Sequence, residues 1–200
     1  MEDAVRAVTA GLDAALVESG LTQAEFATAL GTSGSRFSAY RTGRTVPSAA
    51  FYLRALRFAR ALKSARALGW MTPQSTAREV RSALRQADEV WAMKMILQGR
   101  DHLRELLRSD DPLGSVWGAA PGSTGDHRWD ALLAALVEWE FDEAGRVPPG
   151  WAGDAHRRLG ADQEWVLPSL LLDEPGIRAA TPARLAQHGV YAAQRDLVTA

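Results

Sequence analysis

The segment LTQAEFATALGTSGSRFSAYRTGRTVPS, Leu21 to Ser48, decides how this chain folds. Thr22-Gln23-Ala24-Glu25 opens it with a capping box. The Thr22 hydroxyl can accept from the Glu25 amide while the Glu25 carboxylate reaches back to the Thr22 amide. Phe26, Ala27 and Leu30 then face inward at helical spacing, and Gly31 closes the helix. Ser33 is a good cap for a further helix over Gly34 to Thr42. In it, Phe37 and Tyr40 lie three apart and point into a core. Gly43 stops that helix, and Pro47 and Ser48 open a fourth that runs through Leu53, Leu56 and Leu62 towards Leu68. Upstream, Val5, Val8, Leu12 and Leu16 mark a first helix over Asp3 to Ser19, stopped at Gly20.

Two short helices joined by a tight glycine turn form a helix-turn-helix unit. Leu21, Thr22-Gln23, Ala27, Leu30-Gly31, Ser33, Phe37, Tyr40, Gly43 and Pro47-Ser48 stand in the order and spacing of the lambda-repressor-like, or Xre, family, which the segment resembles. The resemblance implies a third helix lying in the DNA major groove with its N-terminal residues on base edges. Carried onto this chain, the base-reading positions are Gly34, Ser35, Arg36 and Ala39. Arg36 is the strongest of them, because a guanidinium pairs bidentately with guanine O6 and N7. Ala39 offers only a methyl contact. Gln23, at the start of the second helix, matches a phosphate contact, and Ser33, Arg41, Arg44 and Thr45 are expected phosphate clamps. Arg41 departs from the family pattern, where many relatives carry an acidic residue.

Charge is distributed unevenly along the 200 residues, although the formal net charge is only −1. Residues 1–70 carry nine Lys/Arg against five Asp/Glu, and residues 109–200 carry seven against fourteen. No acidic residue stands between Glu25 and Glu79, a stretch that holds Arg36, Arg41, Arg44, Arg54, Arg57, Arg60, Lys63, Arg66 and Arg78. A basic end joined to an acidic one suggests a polyanion-binding module and a different second module. Arg54, Arg57, Arg60, Lys63 and Arg66 recur every three residues, so they drift around a helix and are expected to be mostly solvated. There are no cysteines, which excludes disulfides, thiolate metal sites and cysteine nucleophiles and leads us to expect a cytoplasmic protein. No apolar run is long enough for a bilayer, so no membrane partner is expected.

Beyond residue 70 the pattern stays helical. Thr76 and Glu79 form a second possible capping box, and Val80, Leu84, Ala87, Trp91 and Met95 trace an amphipathic helix over Ala77 to Gln98. Gly99 is read as its end and Asp101 as the cap of a continuation through Leu103, Leu106 and Leu107. The stripe with Trp91 and Met95 fits either the same helix of a second subunit or the chain's own C-terminal half. Ser109 to His127 reads as a loop or hinge. Trp129 to Ala144 reads as a well-buried helix whose end carries Glu138, Glu140, Asp142 and Glu143, either an acidic patch for a basic partner or a solvated end eased by Arg146. Thr181-Pro182 caps a short helix to Gln187.

The expected fold is mainly α: an N-terminal lambda-repressor-like helix-turn-helix domain (1–70), a linking or dimerisation helix (71–108) and a mostly helical, acidic C-terminal domain (109–200). The closing text TPARLAQHGVYAAQRDLVTA resembles the tail of regulators paired with nucleotidyltransferase-type toxins. That resemblance implies an antitoxin whose C-terminal half contacts a toxin. The four histidines show no paired metal-ligand spacing, and no phosphate loop, dinucleotide fingerprint or nucleophile elbow occurs, so neither catalysis, metal nor cofactor is expected. Three functions follow. The chain is a homodimeric transcriptional repressor on operator DNA that doubles as an antitoxin, a regulator sensing a small molecule in a pocket formed by some of Trp129, Trp151 and Trp165, or a protein-interaction scaffold that has lost DNA binding.

Overall fold

Four helices open the chain in the computed structural model, which describes residues 2–198: α1 (Glu2–Ser19), α2 (Gln23–Ala29), α3 (Gly34–Arg41) and α4 (Ala49–Ala67). Met1 of the first domain, and Thr199 and Ala200 of the closing segment, lie outside the described residues. The local signals act as expected. The Thr22 amide donates to the Glu25 carboxylate at 2.9 Å and the Glu25 amide to the Thr22 hydroxyl at 3.3 Å, so two orphan donors at the start of α2 are satisfied reciprocally. Ser33 and Ser48 each accept from an amide three residues on, at 3.2 Å, and so cap α3 and α4. Gly31 adopts φ +69°, the left-handed turn that lets α3 set off in a new direction.

Those helices enclose an aromatic centre. Phe26 and Phe37 are fully buried with ring centroids 5.4 Å apart, edge to face, and Phe58 stacks on Phe26 at 6.0 Å. Burial of each such ring contributes about 1.5–3 kcal/mol relative to exposure. Leu12 and Ala15 of α1 and Ala55, Ala59 and Leu62 of α4 are buried with them, while Leu53 and Leu68 are exposed. Arg66 of α4 donates to the Ser19 carbonyl at 3.0 Å and the Glu18 carbonyl at 2.9 Å. It thereby satisfies orphan acceptors at the end of α1.

The continuous helix expected over Ala77 to Gln98 is two helices, α5 (Pro73–Arg85) and α6 (Glu89–Arg108), packed as a hairpin. The chain reverses at Gln86–Asp88, where Ala87 takes φ +55° and the Asp88 carboxylate accepts from the Trp91 amide at 2.8 Å to cap α6. The capping box of α5 is Thr72 with Ser75, ahead of Pro73 at the first turn, and not Thr76 with Glu79. Gly99 does not end a helix. It sits inside α6, where the missing Cβ leaves room for the buried Thr76 side chain of α5. Asp101 is likewise mid-helix and pairs with Arg100 at 2.6 Å.

The loop expected over Ser109 to His127 contains a 3-10 stretch, Pro112–Gly118, that buries Val116 and Trp117. Next, α7 (His127–Glu143) is capped by Asp126 and buried on every face from Trp129 to Glu140 except at Asp130. Around it lie α8 (Glu174–Ala179), α9 (Ala183–Gln187) and a short parallel pair, β1 (Trp165–Val166) with β2 (Val190–Tyr191), in which Trp165 faces Val190. Thr181 does not cap α9, because its hydroxyl donates to the Ile177 carbonyl at 2.7 Å. Among the described residues no helix is long and apolar enough to cross a membrane.

The acidic end of α7 is divided: Glu138 and Glu140 are buried, whereas Asp142 and Glu143 are exposed. Glu140 is buried and accepts from Arg104 Nε at 2.9 Å and Nη2 at 2.6 Å. Glu138 is buried 3.0 Å from Nε2 of the fully buried His188, with Arg184 at 3.6 Å. Asp142 is held by the same Arg184. Arg146 turns instead to Asp110 at 2.5 Å and to the Leu107 carbonyl. A buried carboxylate is tolerable only with such partners, so Glu140 and Glu138 form joints from α7 to α6 and to the α9 segment.

Candidate nucleic-acid interface

The α2–turn–α3 unit presents one solvent-facing surface. Gly34, Ser35 and Arg36 are exposed at the start of α3, and Ala39 is half-buried one turn later. Phe37 and Tyr40 form the opposite, inward face. The helix start is well built. Ser33 Oγ caps the Arg36 amide and lies 3.1 Å from Ser35 Oγ, so both hydroxyls stand together beside Arg36.

Arg36 Nε donates to the Tyr40 hydroxyl at 2.9 Å, one turn along the same helix. That bond fixes one edge of the guanidinium and leaves the two Nη groups without a hydrogen bond among the described residues. A planar group held by one edge and open at the other suits bidentate pairing with two acceptors. Tyr40 thus has two parts: a buried ring, 5.1 Å from that of Phe51, and a hydroxyl that positions Arg36. The i, i+4 spacing of Arg36 and Tyr40 was the signal in the sequence for this pair.

Gln23 and Arg41 belong to one bonded group. Arg41 Nε donates to Asp13 of α1 at 2.5 Å and its Nη1 to Gln23 Oε1 at 2.6 Å, while Gln23 Nε2 reaches the Gly34 carbonyl at 3.4 Å. The structure therefore turns the Arg41 guanidinium towards α1 and α2, with Gln23 bridging the first turns of α2 and α3. Asp13, unremarked in the sequence, neutralises the arginine that departs from the family pattern. Arg44 is exposed and donates from Nε to the Thr42 hydroxyl at 3.1 Å, and Thr45 is exposed with its amide on the Ala39 carbonyl at 3.2 Å.

The basic run on α4 divides by partner. Arg54 donates to the Leu30 carbonyl at 3.1 Å and lies 5.4 Å from the centre of the Phe51 ring; Lys63 pairs with Glu18 at 3.1 Å, and Arg66 holds the end of α1. Arg57 and Arg60 are exposed and form no ion pair among the described residues. Burial pushes the Glu25 carboxyl up, but bonds from the Thr22 amide and hydroxyl, with Arg78 and Arg81 nearby, outweigh it and hold Glu25 below its ordinary value. The surface around α3 is thus positive, with Arg36 and Arg44 outward and no carboxylate in its own stretch of chain.

No curated protein and no solved structure matches this chain. A family model described as a helix-turn-helix domain matches residues 8–69, the span from the middle of α1 to the end of α4. The N-terminal part of this mainly helical chain is a helix-turn-helix domain of the DNA-binding kind.

Proposed function

We propose that this protein is a sequence-specific regulator of transcription that binds double-stranded operator DNA as a homodimer of the Xre type and acts without catalysis. One observation carries the reading: Arg36 stands at the exposed start of the second helix of the motif, with one edge held by Tyr40 and the other open. The first three residues of α3 and Ala39 face base edges; Ser33, Arg44, Thr45 and the Gln23–Arg41 pair face phosphates. The test is fluorescence anisotropy of the purified protein on its own upstream DNA and on an unrelated duplex, at two salt concentrations. Arg36→Ala should weaken binding to the upstream DNA by about 5- to 150-fold, the value of one good bidentate base contact. The unrelated duplex should change little. Equal, strongly salt-dependent binding to both duplexes, insensitive to Arg36→Ala, would reduce the interaction to phosphate attraction and favour the scaffold reading.

For the C-terminal half, an antitoxin role rests on the closing segment and on the acid excess of residues 109–200. Its acidic end on α7 is engaged internally by Arg104, His188 and Arg184. Copurification with the product of an adjacent gene tests it. A specific observation favours ligand sensing: a concave groove lined by Trp91, Trp129 and Trp165. One wall of that groove, His102 on α6, accepts from the Met71 amide at 2.9 Å and meets Trp70 edge to face at 5.1 Å. Trp70 and Met71 follow directly on α4, so the groove adjoins the DNA-binding domain. A ligand-dependent change in operator affinity is the expected consequence.

A further inference from the structure

The groove has a volume of about 850 Å³ and lies between α6, the start of α7 and the segment around β1. Its apolar walls include Trp91, Met93 and Met95 from α6 and Trp165 from β1, with the buried Trp129 of α7 packed 5.2 Å from the Trp165 ring. Trp91 is 47% exposed and the adjoining Val90 71%, so considerable apolar surface is left open to water. Burying such surface is the main source of affinity for a small ligand.

Charge decides which ligand. Glu89, Lys94, Asp101 and Asp196 line the groove. Arg100 neutralises Asp101 at 2.6 Å. Glu89 and Asp196 are exposed and form no ion pair among the described residues, against the single ammonium of Lys94. His102 adds no positive charge near neutral pH, because burial pushes it down and its Nδ1 accepts from the Met71 amide. Arg128, next to the groove, is paired with Asp126 at 3.0 Å and also feels the charge of Glu89, so the two carboxylates Asp126 and Glu89 outnumber it. An anion is also disfavoured at the start of α6, one of the helix N-termini beside the groove. There Asp88 already takes the Trp91 amide, and Glu89 adds a negative charge.

We propose that this groove binds a lipophilic organic cation, one that spreads its charge over aryl or alkyl groups. Its apolar surface lies on the tryptophans and methionines, and its charge faces Glu89 and Asp196. Indole faces attract cations through the ring quadrupole, and thioethers adapt to irregular aryl surfaces. Trp165 already holds one cation of the chain, the Arg128 guanidinium, 5.3 Å from its ring centre. The proposal gives a ligand class to the ligand-sensing reading and rests on that reading for any effect on DNA.

Tetraphenylphosphonium and tetraphenylborate share size and shape and differ in sign, so they separate charge from greasiness. Titrating each into the full chain, read by calorimetry and by tryptophan fluorescence, should give at least tenfold tighter binding of the phosphonium. Glu89→Gln combined with Asp196→Asn should weaken the phosphonium about tenfold and leave the borate unchanged or tighter. Both positions are exposed, so the double variant should keep the wild-type circular dichroism. Trp91→Ala should weaken both probes. Equal affinity for the two probes, tighter borate binding, or no phosphonium binding would each overturn the proposal. Operator anisotropy with and without phosphonium keeps the two ideas apart. Phosphonium binding with unchanged operator affinity would uphold the site and remove the sensing reading, whereas no phosphonium binding would remove the site without touching the DNA-binding reading.

Discussion

Gly99→Ala should destabilise the protein although it replaces glycine by the best helix former. A Cβ built at Gly99 runs into Thr76 Oγ1 and stands 2.8 Å from its Cγ2 and 3.2 Å from its Cβ. All three atoms belong to a fully buried side chain on the facing helix, so rotating Thr76 exchanges one clash for another. Overpacking of this kind costs about 1–3 kcal/mol, and three close atoms place it in the upper half. Alanine returns about 1 kcal/mol in helix propensity. The expected net loss is about 1–2 kcal/mol, a fall in Tm of roughly 2–8 °C for a chain of this length. Thr76→Ala removes the obstruction. It also removes a buried hydroxyl that has no hydrogen-bond partner, so relief of that group offsets part of the lost methyl contact. The double variant should therefore be at least as stable as Thr76→Ala alone, with a coupling of about 1 kcal/mol or more. Urea unfolding of the four proteins, followed by far-ultraviolet circular dichroism, measures the cycle. A Gly99→Ala protein as stable as wild type, or strict additivity, would refute the view that close approach of α5 and α6 is what requires glycine here.

Other outcomes follow from the same geometry. Ala87→Gly should raise stability by roughly 0.5–1 kcal/mol, because Ala87 sits at φ +55° in the turn between α5 and α6 and an L side chain there is strained; thermal unfolding checks it. Arg104→Met should cost about 2–3 kcal/mol. It strips both hydrogen bonds from the buried Glu140 carboxylate and leaves only Arg100, at 3.8 Å, and half or more of the loss should return when Glu140→Leu is added. Glu25 titrates below its ordinary value of 4.5 in the fold, so its stabilising contribution is complete above that value and is lost as pH falls through the lower folded one. Glu25→Gln should accordingly flatten the acid limb of a stability–pH curve below about pH 4.5 and leave the neutral limb parallel to wild type.

What the sequence revealed and what it hid differ by the range of the interactions involved. The helix-turn-helix domain was legible because its signals are local: Thr22 with Glu25, Ser33 with the Arg36 amide, Gly31 in the turn. The α5–α6 reversal was not, because its turn is Gln86-Ala87-Asp88, without glycine or proline, and an alanine carries the left-handed conformation. The apolar stripe also continued across the break by coincidence of spacing, from Val80 and Leu84 to Trp91 and Met95. Gly99 was misread for the complementary reason, since its justification lies on another helix, in Thr76. The groove was half legible. Trp129 and Trp165 line it as expected, but Trp151 is buried with its indole N–H on the Trp117 carbonyl, and Trp91 takes its place. Charge was the least legible quantity, because counting residues ignores pairing at long range. Arg41 counts as a free cation in the sequence, yet Asp13, 28 residues away, holds its Nε. At the end of α7, Glu138 and Glu140 looked like a surface feature until Arg104, Arg184 and His188 are seen to enclose them, while Asp142 and Glu143 stay exposed. Arg57 and Arg60 on α4, and Glu89 and Asp196 at the groove, are among the charges that form no ion pair among the described residues. Their signs oppose each other at two separate places, so one chain can present a polyanion-binding surface and a cation-binding one without either cancelling the other.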